Sequence, residues 1–106
     1  MAILGNKFHR QAETKKEETI ELDRQILRLE DDIRKLKIEF DIYFNGAAKR
    51  PPLEMRARIE SSLKRVADDR NLTYAQRYHF NSLVSRFNSY RELWRRNLKK
   101  KGEELM

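Results

Sequence analysis

Seven apolar residues, Leu22, Ile26, Leu29, Ile33, Leu36, Phe40 and Tyr43, recur at alternating steps of four and three without a break. A half-buried strand alternates every second residue, so this spacing fits only a helix with one apolar stripe. With Ile26, Ile33 and Phe40 at a, and Leu22, Leu29, Leu36 and Tyr43 at d, the stripe has the coiled-coil period. Branched Ile at a with Leu at d is the combination that favours parallel two-stranded pairing.

Punctuation sets the boundaries. Thr14-Lys15-Lys16-Glu17 has the form of a capping box, and Asn45-Gly46 supplies a C-terminal stop, so the spacing predicts a first helix over 15–44. Pro51 forces Arg50 out of helical geometry and Pro52 suits a first turn, which opens a second helix over 52–69. Leu53, Met55, Ile59, Leu63 and Val66 carry its apolar face. Thr73-Tyr74-Ala75-Gln76 is a second capping-box pattern and begins a third helix over 74–101, with Gly102 as its stop. Its seam of Phe80, Leu83, Phe87, Tyr90 and Trp94 matches the first in period. Residues 1–13 read as a flexible tail, 14–101 as one helical domain and 102–106 as a C-terminal tail.

The fold class is therefore all-α: helix–loop–helix–turn–helix, a three-helix bundle whose long first helix projects as a coiled-coil arm. Three Gly and two Pro in 106 residues are too few for the turns of a sheet sandwich. Helix lengths place the third helix parallel to the first from the level of residue 27. That pairs Phe80, Leu83, Phe87 and Tyr90 with Ile33, Leu36, Phe40 and Tyr43, a constant offset of 47 residues. In this arrangement Leu22, Ile26 and Leu29 lack cover, and an exposed apolar helix of such length is marginal alone. The expectation is a homodimer that self-associates through Leu22, Ile26, Leu29 and Ile33, so that Ser at Ile26 and Leu29 abolishes dimerisation and spares the bundle.

Charge makes up 39% of the chain and sums to +7. Residues 17–44 hold nine acids against five bases, and residues 45–106 hold fifteen bases against seven acids. Lys49, Arg50, Arg91, Arg95, Arg96, Lys99, Lys100 and Lys101 are the expected site for an anion or an acidic partner, with Trp94 placed near the Lys49-Arg50 loop. Two cations immediately before a helix N-terminus are locally unfavourable without a nearby anion. Aromatics interleaved with Arg at 3–4 spacing belong to a core; only Trp94, at the seam's end, is positioned to stay exposed. Tyr74 and Tyr78 read as packing residues.

Enzyme chemistry has little to build on. There is no Cys, no phosphate loop and no paired-His metal motif, so neither cofactor nor metal is expected. His9 falls in the tail and His79 beside the seam, without a general-base partner at suggestive spacing. Asp31-Asp32 and Asp68-Asp69 are adjacent in helical sequence and diverge by about 100°. No apolar run approaches a membrane span and no signal-peptide core is present, so a cytoplasmic protein that does not bind membranes is expected. The sequence thus reads as a non-enzymatic scaffold that self-associates and presents a basic end to a protein partner. The alternative is a small nucleic-acid-associated protein that contacts phosphates through its basic C-terminal helix.

Overall fold

A computed structural model describes the backbone of residues 2–105 and the side chains of residues 15–102. The chain is three α-helices: α1 (Ala2–Phe44), α2 (Leu53–Ala67) and α3 (Tyr74–Leu105). Together they form an all-α three-helix bundle drawn out to 76 × 21 × 15 Å. Both α2 and α3 pack on α1, and approach each other more loosely.

Two of the predicted helix ends form as chemistry dictates. At the end of α1, Gly46 takes φ 86, its N–H donates to the Tyr43 carbonyl, and Ala47 N–H donates to the Ile42 carbonyl. That is the Schellman pattern, and it needs a residue free of Cβ at the left-handed position. At the start of α3, Gln76 N–H donates to Thr73 Oγ1 (3.1 Å) while Thr73 N–H donates to Gln76 Oε1 (2.9 Å), a reciprocal capping box.

Elsewhere the boundaries move. α1 starts at Ala2 rather than near Lys15, so the expected 1–13 tail is helical from its second residue. Nothing between Ala2 and Thr14 except Gly5 opposes a helix, and good formers on either side outweigh one capping signal. α3 runs through Gly102 to Leu105, because a helical Gly costs only about 1 kcal/mol against Ala and Glu, Glu and Leu follow it. α2 is shorter than expected, ending at Ala67 with Asp68 as its C-cap.

The largest correction concerns register. Phe40 and Trp94 stack with ring centroids 4.2 Å apart, and Gln76 Nε2 donates to Asp23 Oδ1 at 2.7 Å and to the Thr19 carbonyl at 2.9 Å. These contacts fix an α1–α3 offset near 54 residues, one heptad beyond the expected 47. Both seams repeat every seven residues, so a slide of seven sets apolar against apolar equally well. Connections decide the matter. At this offset Tyr74 is level with Ile20, roughly 36 Å back from Phe44 along α1. The 15 residues of α2 cover about 22 Å of that, and the irregular segments 45–52 and 68–73 span the rest.

The shift closes the core. Phe80 falls level with Ile26, Leu83 with Leu29 and Phe87 with Ile33. Leu22, Ile26, Leu29 and Ile33 are 4%, 1%, 3% and 1% exposed, covered by the chain's own helices. The residues expected to be bare for self-association are core residues. α1 beyond the bundle therefore begins N-terminal to about Thr19, not at Leu29.

Candidate functional site

The basic end is built on an aromatic column. Phe44 stacks on Phe40, Phe40 on Trp94 and Trp94 on Tyr90, with Phe87 edge-on to Trp94. Trp94 is 2% exposed, so the one aromatic positioned to remain free is the centre of the packing. Bases of a single strand have no aromatic platform among these rings. Tyr43 drifts off the seam, as a straight helix drifts about 20° per heptad, and Phe44 packs on the core in its place.

Tyr43 instead receives Lys101. The ammonium donates to the Tyr43 carbonyl at 3.0 Å and sits 3.8 Å from its ring centroid. The carbonyl lies at the negative end of the α1 dipole, where a cation is favoured. Lys101 is thus engaged within the fold and not offered to a partner.

The other predicted cations are exposed, but not equivalent. Arg95 Nη2 and Nε donate to both oxygens of Glu92, whose carboxyl is held below the usual range chiefly by that hydrogen bond, then by the charges of Arg95, Arg96 and Arg91. Lys49, Arg50, Arg91, Arg96, Lys99 and Lys100 make no ion pair with a described residue. At the observed register the 45–52 linker is level with Lys99–Lys101 rather than with Trp94. On α3, Arg91, Arg95 and Lys99 follow one row at steps of four; Arg96 and Lys100 follow another.

Register also sorts charge along the long axis. Asp32 shares a groove with Arg58 and Ile59, and Leu29 with Ser62 and Val66, which sets the level of α2. Dividing the bundle there, residues 17–32 and 59–86 carry ten acids and seven bases, net −3. Residues 33–58 and 87–102 carry thirteen bases and four acids, net +9. The molecule is a rod with one basic half.

On the side of α1 away from α2, a groove of about 370 Å³ separates α1 from α3. Leu27, Ile33 and Tyr90 supply its apolar surface, with Arg34, Lys37 and Arg86 on its rims. Lys37 donates to Asp41 and lies 5.9 Å from the Tyr90 centroid; the pairing with Asp41 raises its pKa. At the groove's lower end His79 Nε2 lies 3.1 Å from Glu30 Oε2, a partner that sequence spacing did not reveal.

The remaining candidates find structural employment. Asp31 accepts from Lys35 and Arg34, and Asp69 Oδ1 accepts the Asn71 N–H. Among the described residues, no three potential metal ligands converge. His9 lies outside the described side chains. Tyr74 and Tyr78 are 90% and 77% exposed rather than packed, because they stand on the face of α3 opposite Phe80 and Leu83. No described helix is long and apolar enough to cross a membrane. Neither a protein-family model, nor a curated protein, nor a solved structure matches this chain.

Proposed function

We propose that this chain is a non-enzymatic helical interaction protein whose basic half receives an anionic macromolecular partner. The single observation that carries this reading is the charge separation within the bundle, net +9 over residues 33–58 and 87–102 against −3 over residues 17–32 and 59–86. Such a field steers acidic partners and orients them toward one end. The self-association half of the sequence expectation loses its support, because Leu22, Ile26, Leu29 and Ile33 are already covered. The rigid aromatic column beneath the cations holds them in a fixed frame.

The test is fluorescence anisotropy with two labelled probes, a polyglutamate peptide and a mixed-sequence DNA duplex, titrated at rising salt. Lys99→Glu with Lys100→Glu should weaken binding strongly. Arg70→Glu with Arg77→Glu changes net charge equally at the other end and should weaken it little. Equal losses from both pairs would mean that total charge, not this end, governs binding. Tighter binding of the duplex, with a steep salt slope, would favour the phosphate-binding alternative.

A further inference from the structure

Three large apolar side chains of α1 stay bare after α2 and α3 have packed: Leu27, Ile38 and Ile42 are 57%, 50% and 37% exposed. They stand at steps of eleven and four, so at about 100° per residue they fall within about 60° of one another, on the face turned away from the core seam. Arg24 and Asp31 share this arc, and Lys35, Arg28 and Glu39 border it on one side. Arg28 and Glu39 are exposed, and neither makes an ion pair with a described residue.

This face is self-complementary about one point. Leu27 and Ile38, Arg28 and Glu39, Asp31 and Lys35, and Arg24 and Ile42 are pairs whose midpoints all fall within half a residue of position 33. A second α1 turned end for end about that point sets the members of each pair opposite one another. In such a two-fold pairing the same flank meets the same flank, so Arg28 meets Glu39 and Asp31 meets Lys35, each twice, around a doubled contact of Leu27 with Ile38. A parallel pairing would set each of these residues against itself, Arg28 on Arg28 and Glu39 on Glu39, which is repulsive. The antiparallel sense also lays the portion of one copy that carries net +9 beside the portion of the other that carries net −3.

We infer that the bare face of α1 docks a second copy of this chain, antiparallel, through Leu27, Ile38 and Ile42, with the two-fold axis at the level of residue 33. The covered seam of Leu22, Ile26, Leu29 and Ile33 takes no part. Ile20 mirrors onto Gly46, past the end of α1, and stands outside the contact. The inference goes beyond the anionic-partner reading and is independent of it, since it uses neither Lys49 and Arg50 nor the cations of α3. One face of about four helical turns is a small contact, at the weak end of specific interfaces below about 1,200 Å². The pair therefore forms at high protein concentration and exchanges readily.

Sedimentation equilibrium from micromolar to millimolar protein in low salt is the test, and the average mass should climb toward that of a dimer. Leu27→Ser with Ile38→Ser should weaken association about tenfold or more, the scale of losing an interface anchor. Both positions are exposed, so that variant should keep wild-type helicity. Arg28→Glu and Glu39→Arg should each weaken association alone, because each creates two like-charge contacts; mixed in equal amounts, the two variants should pair better than either does with itself. The chain has no Cys, so Leu27→Cys and Ile38→Cys can be made singly, and oxidising their mixture should link one to the other in preference to itself. A chain that stays monomeric throughout would overturn the pairing and leave the face to a foreign helix. A dimer indifferent to Leu27→Ser with Ile38→Ser, no gain on mixing the charge variants, or a preference of each Cys variant for itself would overturn it equally.

Discussion

Ile26 distinguishes a covered seam from a projecting arm. It is 1% exposed, and replacing it by Ala removes three carbons at about 0.8 kcal/mol each, before any cavity term. Adding a partly relaxed cavity brings the expected loss to about 3 kcal/mol, inside the range for buried Ile→Ala changes. For a chain of this size that lowers the melting temperature by roughly 12–24 °C. The assay is thermal unfolding by circular dichroism at two widely separated protein concentrations. The unfolding temperature of Ile26→Ala should fall equally at both, because nothing in the packing of Ile26 depends on a second copy. Ile20, 43% exposed on the same helix, is the control, and Ile20→Ala should change stability by no more than about 0.5 kcal/mol. A small loss for Ile26→Ala, or a melting point that rises with concentration in wild type and not in the variant, would refute the intrachain register.

Gln76 is a buried amide whose Nε2 bonds Thr19 and Asp23, so Gln76→Leu strands those acceptors and should cost about 1–3 kcal/mol by urea unfolding. Lys101→Met keeps the apolar stem but removes the carbonyl and ring contacts, for an expected loss of about 0.5–2 kcal/mol; hydrogen exchange should rise first in the last turn of α1. Asp31 has a lowered pKa, owing first to its hydrogen bond with Lys35 and then to that with Arg34. A folded-state value below the unfolded one stabilises the fold above the unfolded pKa, an effect lost as pH falls through the folded value. Lys35→Gln should therefore move the Asp31 carboxyl titration upward in carbon-detected NMR, and an unmoved midpoint would count against that pairing.

Local chemistry was the legible part of this fold. The 3–4 spacing from Leu22 to Tyr43 and from Phe80 to Trp94 specifies two apolar helices, and Gly46 and Thr73–Gln76 specify their ends, because each signal acts over one or two turns. The placement of α3 on α1 was not legible, since it depends on the summed length of α2 and two irregular connections. That one error uncovered Leu22, Ile26 and Leu29 and moved Trp94 beside the Lys49 loop. The α1–α3 groove was missed for a related reason: Leu27 and Arg34 on α1 come to line one surface with Arg86 and Tyr90 on α3 only at the observed register. The basic cluster was visible as composition, yet the employment of Lys101 and Arg95 depends on Tyr43 and Glu92 side-chain geometry.

The heptad ambiguity that hides the register from a reader also confronts the folding chain. α1 and α2 are joined by a short linker and can meet early, whereas α3 must find α1 across more than fifty residues, a slower search. A trial docking seven residues short would satisfy most of the seam. It would also lay Gln76 beside Leu29, without Thr19 and Asp23 to accept from its amide, and carry Trp94 past Phe40 to the level of Ala47. The two ends of the interface thus act as proofreading points, rejecting a decoy that the middle cannot distinguish. Removing the lower one by Gln76→Leu should let the decoy persist as an added slow phase in stopped-flow refolding, followed by Trp94 fluorescence. A single phase in that variant would mean that the aromatic column at the opposite end is sufficient to set the register alone.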